Sequence, residues 1–375
     1  MSVGRFVAVV VALSALTAGA APSDPFYPQQ WALHDPLVGI RAEQAWTMAT
    51  GRGVRVAVLD TGTRPHAELV GKLLPGYDFL DAKSSGDGDG PDRDATDMGD
   101  GDSRECLVKR IRLSTWHGTK VAGVIAASRD DGLGLVGAAP DAAIVPVRVL
   151  GRCGGDLDQI LHGMLWAAGV HPTVPNPYPA RVLNLSFGEN HAPCAGTAYG
   201  RRYQAVLDRL KSAGVVVVAA AMNYGQPVEQ VSPASCRGVI AVGAVRRDGS
   251  RPGYSDYGRA VALSAPGGET GQWNGRGVDP AAGLWLLSDR GGSYPAGDGY
   301  LSDEGTSFAA PLVAATVAMM LELKPELRPG QVRHVLLKTA RPFPQPCQGC
   351  GAGMLDAEAA LKRVLDPTPI PEDAF

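Results

Sequence analysis

Six short runs of apolar and β-branched residues are spread along the chain. They occupy residues 54–59, 144–150, 182–187, 215–221, 239–245 and 260–265. Because these runs are apolar at consecutive positions, they predict strands buried on both faces, as in a parallel sheet. Helical patterns rich in small residues lie between them, at 117–127, 156–168, 199–213 and 306–323. Strands that alternate with helices predict an α/β fold in which a mostly parallel central sheet lies between two helical layers.

The first twenty residues have the pattern of an export signal. One arginine is followed by an apolar run over residues 6–16, and Ala18-Gly19-Ala20 forms an A-x-A cleavage site. The alternative is a membrane anchor, but the run is short for a bilayer span. We therefore expect a signal peptide over residues 1–20, a secreted or periplasmic protein, and no stable membrane span.

The rest of the chain shows no internal repeat and no linker through its middle. Residues 21–365 are predicted to form one domain, and the proline-rich residues 366–375 to form a tail outside the fold. Apolar residues make up 45% of the chain, which is enough for a buried core. The formal net charge of −3 argues against nucleic acid as a partner, since phosphate binding requires a basic surface.

Six cysteines in an exported chain predict three disulfides. The sequence alone cannot choose among the fifteen possible pairings of six cysteines. A zinc site is weakly supported, because Cys347 and Cys350 form the one closely spaced pair and no second cluster of ligands accompanies them.

Three separate segments place reactive side chains at positions typical of an active site. Asp60 ends a predicted buried strand, and in open α/β sheets sites form at the carboxyl ends of strands. His117 begins a helical pattern whose small residues allow close approach to the sheet. Ser307 begins another, where unpaired backbone N–H groups can stabilise negative charge. Taken singly, each residue has a commoner structural interpretation, such as a turn cap, a packed histidine or a helix N-cap.

Together these segments resemble the subtilisin-like serine peptidase family. The resemblance is carried by Asp-Thr-Gly from Asp60, His-Gly-Thr from His117, and Gly-Thr-Ser-Phe-Ala-Ala-Pro around Ser307. The order Asp, His, Ser is that of this family, and the absence of a G-x-S-x-G motif counts against a lipase or esterase. The resemblance extends from about residue 27 to about residue 360, and it implies a three-layer α/β/α subtilisin-like fold with Asp60, His117 and Ser307 as a catalytic triad.

The resemblance also assigns substrate contacts. It makes Asn223 the side-chain donor to the oxyanion. One wall of the S1 pocket would be Leu185, Ser186, Phe187 and Gly188. The other would run from Ala219 through Ala220, Ala221 and Met222 to Asn223. Substrate would bind along the first wall by strand addition. Tyr224 and Val231 would lie near the pocket base, and because neither is acidic we expect an apolar or small P1 side chain.

Disulfides and calcium are implied in the same way. Exported bacterial members of the family suggest the pairs Cys106–Cys153, Cys194–Cys236 and Cys347–Cys350. They also suggest that the acidic loop holds calcium, with ligands among Asp87, Asp89, Asp92, Asp94, Asp97 and Asp102. The alternative is a solvated acidic loop.

The sequence therefore predicts a secreted serine endopeptidase that acts on proteins or peptides through an acyl-enzyme intermediate. We expect a monomer that needs no cofactor for catalysis. The alternative is a catalytically impaired member that only binds peptides. The chain departs from the family pattern at Lys120, Met222 and Leu312, where His, Gly and His are usual.

Overall fold

The computed structural model describes residues 21–101, 106, 113–272 and 278–373. The expected signal peptide, residues 1–20, lies outside these ranges. The strands are β1 (Arg55–Asp60), β2 (Tyr77–Asp78), β3 (Ala143–Arg148), β4 (Val182–Leu185), β5 (Val216–Ala220), β6 (Val239–Val245), β7 (Val261–Pro266), β8 (Leu284–Asp289) and β9 (Asp298–Asp303). The α-helices are α1 (Trp31–His34), α2 (Ala42–Trp46), α3 (Ala82–Ser85), α4 (His117–Ala126), α5 (Leu157–Ala167), α6 (Ala198–Ser212), α7 (Thr306–Leu323), α8 (Pro329–Thr339) and α9 (Ala357–Leu365).

Seven strands form one sheet in the order β2-β3-β1-β4-β5-β6-β7, and every adjacent pair runs parallel. This confirms the predicted α/β class and its mostly parallel sheet. All six apolar runs of the sequence correspond to strands, and all four helical patterns to helices. The strand order places the carboxyl ends of β1, β4 and β5 side by side, so residues that follow these strands lie close together.

The sheet is covered on both faces, as its apolar strands require. Successive strand residues point to opposite faces, so Val56 and Val58 pack with α4 and α7, whereas Ala57 and Leu59 pack with α5 and α6. Among the described residues, α7 alone has the length and apolar composition of a membrane span, and 89% of that stretch is buried inside the protein. Its apolar surface is accounted for by the core.

Two regions differ from the expectation. Strands β8 and β9 form an antiparallel pair that sequence patterning did not identify. Strand β9 is polar and only partly buried, whereas the apolar run that begins β8 is only four residues long. The C-terminal residues up to Asp373 pack on the domain instead of forming a tail outside it. Ile370 is 7% exposed and joins the main core, and Asp373 accepts a hydrogen bond from His334 Nδ1 of α8 at 2.9 Å. The segment is held by this apolar side chain together with polar contacts to α8, among them a hydrogen bond from Gln331 Nε2 to the Ile370 carbonyl oxygen at 3.0 Å.

Candidate active site

The site lies at the carboxyl end of the sheet. Asp60 is the last residue of β1, Ser186 follows β4, and Asn223 lies three residues beyond β5. Because these three strands are neighbours in the sheet, their ends bring the three residues to one rim. Helices α4 and α7 begin at the same rim and supply His117 and Ser307.

Asp60 and His117 are joined directly. The Nδ1 atom of His117 lies 2.8 Å from Asp60 Oδ1 and 2.9 Å from Asp60 Oδ2. Asp60 is fully buried, whereas the His117 side chain is 21% exposed. The buried carboxylate therefore fixes the imidazole with Nδ1 protonated, and Nε2 is left as the basic atom on the accessible side.

The start of α4 approaches the end of β1 so closely that it needs glycine. A β-carbon at position 118 would lie 2.0 Å from the carbonyl oxygen of Gly62. Thr61 connects the two segments, because its Oγ1 accepts from Gly118 N at 3.0 Å and donates to Asp97 Oδ2 at 2.6 Å. Asp97 is fully buried. The hydrogen bonds from Gly118 to Thr61 and from Thr61 to Asp97 thus hold the backbone next to His117 in place.

Ser307 is attached to the rim through Ser186. The Ser186 hydroxyl donates to the Ser307 carbonyl oxygen at 2.7 Å, and the Ser307 hydroxyl donates to the Ser186 carbonyl oxygen at 3.1 Å. In a regular helix the Ser307 carbonyl would accept from the N–H of residue 311, but that residue is proline and has no N–H. Ser186 satisfies the acceptor that Pro311 leaves free.

His117 and Ser307 are adjacent but not hydrogen-bonded. The His117 ring packs against the ring of Phe308, with centroids 5.7 Å apart, and Ser307 directly precedes Phe308. Within the described part of the chain, His117 Nε2 makes no hydrogen bond, since the Ser307 hydroxyl is bonded to Ser186. Rotation of that hydroxyl is needed for it to reach the imidazole, and such contacts commonly tighten only when substrate is bound.

The orientation of the Asn223 amide is fixed by Thr306. Asn223 Oδ1 accepts from both the backbone N–H and the hydroxyl of Thr306, each at 2.9 Å. Because the Thr306 N–H can only donate, the Asn223 amide must turn its oxygen, and not its nitrogen, toward Thr306. Asn223 Nδ2 is the group left to donate to a ligand at the rim.

Two opposing charges flank the imidazole. Lys120 is 6% exposed, and its Nζ donates to Asp303 Oδ2 at 2.8 Å. Burial acts to lower the pKa of His117, but the Asp60 carboxylate more than offsets it, and the pKa is raised above the ordinary value. Lys120 lowers the His117 pKa and Asp303 raises it, so the pair makes two smaller contributions of opposite sign.

The expected pocket walls are adjacent. Leu185 and Ala219 are paired in register on neighbouring strands. The residues expected to form the first wall, Leu185, Ser186, Phe187 and Gly188, run on from β4, and the three alanines of the second wall are fully buried at the end of β5. At the base, Val231 is fully buried, whereas Tyr224 is 56% exposed and lies on the surface.

Disulfides join the three cysteine pairs that the resemblance implied, Cys106–Cys153, Cys194–Cys236 and Cys347–Cys350. Each cysteine of the chain belongs to one of them. The zinc alternative for Cys347 and Cys350 is therefore wrong.

Several carboxylates of the acidic loop have partners other than a metal ion in the described part of the chain. Within the described residues no three His, Cys, Asp or Glu side chains come together to hold a metal, and Asp102 lies outside those residues. Asp87 instead accepts from the buried Arg148 guanidinium at 2.7 Å, and Asp97 accepts from Thr61. Asp92 and Asp94 accept from backbone N–H groups of their own loop. A structural calcium stays a prediction of the resemblance.

The sequence did not reveal several residues that support the site. Thr61 and Thr306 both stand inside the recognised motifs, next to Asp60 and Ser307, so their position was a signal for a supporting role. Asp303 carried no such signal, because it belongs to the polar strand β9, which the sequence pattern did not predict.

These features define a class of protein. An imidazole oriented by a buried carboxylate, a serine hydroxyl at a helix start and an amide with a fixed orientation are features typical of hydrolases that use a nucleophilic serine. Here they lie at the rim of a parallel sheet covered on both faces.

Comparison with known proteins identifies the family. The chain belongs to the subtilase family, Peptidase_S8, whose model matches residues 51–353. It is 37% identical over 358 residues to an extracellular protease of Xanthomonas campestris, covering 94% of this chain and 58% of that protein. It is 37% identical over 361 residues to an extracellular basic protease of Dichelobacter nodosus, covering 92% of this chain and 56% of that one. The chain thus spans a little over half the length of these relatives.

A solved structure agrees with this assignment. A protease from Pseudoalteromonas arctica superimposes with a TM-score of 0.85 at 39% sequence identity, covering 92% of this chain and all of that chain. The subtilisin-like α/β/α fold that the sequence motifs implied is therefore confirmed.

Proposed function

We propose that this protein is a secreted serine endopeptidase that cleaves proteins or peptides through Asp60, His117 and Ser307. The observation that carries the proposal is the hydrogen-bonded Asp60–His117 pair beside Ser307 at the helix start. Relatives named extracellular proteases and three disulfides support export.

Each residue has a role in this proposal. His117 Nε2 takes the proton of the Ser307 hydroxyl as the oxygen attacks the scissile carbonyl carbon, which breaks the carbonyl π bond and forms the tetrahedral intermediate. Asp60 keeps Nδ1 protonated and stabilises the imidazolium. Asn223 Nδ2 and the backbone N–H of Ser307 donate to the oxyanion. His117 then protonates the leaving amine, and water hydrolyses the acyl-enzyme by the same route.

The test combines a mechanism-based probe with proteolysis. Purified protein should react with a fluorophosphonate at Ser307 and cleave casein, and Ser307→Ala should lose both activities with an unchanged circular dichroism spectrum. Removing the nucleophile should lower kcat by about 10⁶-fold, a magnitude that itself comes from subtilisin. A folded wild-type protein that neither reacts nor cleaves would leave the alternative of an impaired, peptide-binding subtilase. Repeating the assay and the thermal melt with a chelator tests for structural calcium.

A further inference from the structure

Met222 has a backbone conformation that residues other than glycine rarely adopt. Its φ is +89°, in the left-handed region that favours glycine. It lies two residues beyond the end of β5 and directly before Asn223. A methionine at this position is strained, so its side chain invites a functional explanation.

The side chain of Met222 reaches across to the opposite wall of the S1 slot. A β-carbon at Gly188 would lie 3.2 Å from Met222 Cγ, 3.0 Å from Val231 Cγ1 and 2.9 Å from the Ser232 carbonyl oxygen. Gly188 belongs to the first wall and Met222 continues the second. Both side chains thus lie against Gly188, Val231 as a buried residue and Met222 as a partly buried one.

The base of the slot is anchored and cannot easily move away. Ser232 and Glu189 exchange backbone hydrogen bonds, at 2.8 Å from Glu189 N and at 3.1 Å from Ser232 N. Val231 is fully buried between this bridge and the core. Met222 is only partly buried, and its unbranched thioether is the flexible element at the slot.

We propose that Met222, together with Val231, restricts the S1 pocket to substrates with glycine or alanine at P1. This inference rests on the proposed peptidase function and narrows the expected P1 preference from apolar or small to small. A phenylalanine or leucine at P1 has to displace the Met222 side chain from Gly188, which costs contacts that an alanine leaves intact.

Two peptide p-nitroanilides that differ only at P1, alanine against phenylalanine, test the inference. The wild-type protein should show a kcat/KM for alanine at least about tenfold higher than for phenylalanine, the scale at which pocket contacts discriminate. Met222→Ala and Met222→Gly should each shift this ratio toward phenylalanine by at least about tenfold. Met222→Gln, which matches the length of methionine, should keep the wild-type ratio.

The variant set separates slot filling from backbone strain. Met222→Ala empties the slot but keeps a β-carbon at a positive φ, whereas Met222→Gly also removes the strain. A ratio that changes only in Met222→Gly would overturn the inference in favour of a backbone effect. Val231→Ala, which enlarges the slot from below, should shift the ratio in the same direction and provides a second test should a position-222 variant fail to fold.

Fluorophosphonate titration of Ser307 distinguishes failure of this inference from failure of the proposed function. A wild-type protein that is not labelled and cleaves neither substrate contradicts the peptidase proposal itself. A protein that is labelled but prefers phenylalanine, or whose ratio is unmoved in both Met222→Ala and Met222→Gly, contradicts the inference about Met222 alone.

Discussion

The hydroxyl groups of Ser186 and Ser307 each donate to the other residue's carbonyl oxygen, at 2.7 Å and 3.1 Å. This exchange attaches the end of β4 to the start of α7, and so connects the expected substrate wall to the proposed nucleophile. It is made possible by Pro311, which leaves the Ser307 carbonyl without its helical donor. The proline inside α7 thus leaves free the acceptor through which Ser186 holds the start of that helix.

Ser186→Ala should therefore destabilise the fold, because a buried carbonyl loses its donor. We expect a loss of about 1–3 kcal/mol in the free energy of unfolding, the usual cost of an unsatisfied buried acceptor. Denaturant melts should be made in the Ser307→Ala background, which prevents autolysis and keeps the Ser307 carbonyl. Pro311→Ala restores an N–H to the helix, so the cost of Ser186→Ala should be smaller in that background. Equal costs with and without Pro311 would show that the exchange does not depend on it.

Asn223→Ala should lower kcat by about 10²–10³-fold and leave KM little changed, because the lost donor acts on charge that develops only in the transition state. That range itself comes from subtilisin. Thr306→Val removes one of the two hydrogen bonds that orient the amide and keeps the other, so its loss should be smaller and should again fall on kcat. Steady-state kinetics on one peptide substrate measures both. An equal rise in KM for the two variants would indicate a role in ground-state binding instead.

Substitutions of Lys120 and Asp303 should shift the acid limb of the pH–rate profile in opposite directions. The general base must be neutral, so kcat/KM rises as pH increases through the His117 pKa, which is raised above its ordinary value. Lys120→Gln removes a charge that lowers this pKa, so the limb should move to higher pH. Asp303→Asn removes a charge that raises it, so the limb should move to lower pH. Profiles that shift the same way in both variants would contradict this electrostatic account.

Local sequence patterns predicted the framework but not the contacts that tune the site. Continuous apolar runs predicted the six longer strands of the sheet, because burial on both faces leaves a strong signal. The three motifs predicted Asp60, His117 and Ser307. The Ser186–Ser307 exchange and the position of Asp303 depend on the packing of distant segments, which no short pattern records. The contact between Asp87 of the acidic loop and Arg148 likewise joins residues 61 positions apart, which no local pattern indicates.

Glu68 should make the stability of the fold fall as pH rises. It is fully buried, its Oε1 accepts from Leu135 N at 2.8 Å and Tyr300 Oη at 2.9 Å, and its Oε2 has no hydrogen-bond partner in the described chain. Burial raises the pKa of Glu68 from 4.5 to about 7. The folded state therefore keeps a proton that the unfolded state releases, and this contribution to stability is complete below pH 4.5 and lost as pH passes 7.

In Glu68→Gln the side chain at position 68 cannot ionise, so the variant should not share the parent's loss of stability with rising pH. The melting temperature of the variant minus that of the parent should therefore increase between about pH 5 and 8, the range over which Glu68 loses its proton. Both proteins should carry Ser307→Ala to prevent autolysis. The difference in melting temperature is compared because burial also raises the pKa of Asp78 and Asp97 to about 6, and these two residues affect the pH dependence of both proteins equally. Glu68→Asp keeps a titratable carboxyl group at the site and should retain the pH dependence. A difference in melting temperature that stays constant across this range would show that Glu68 does not hold its proton on folding.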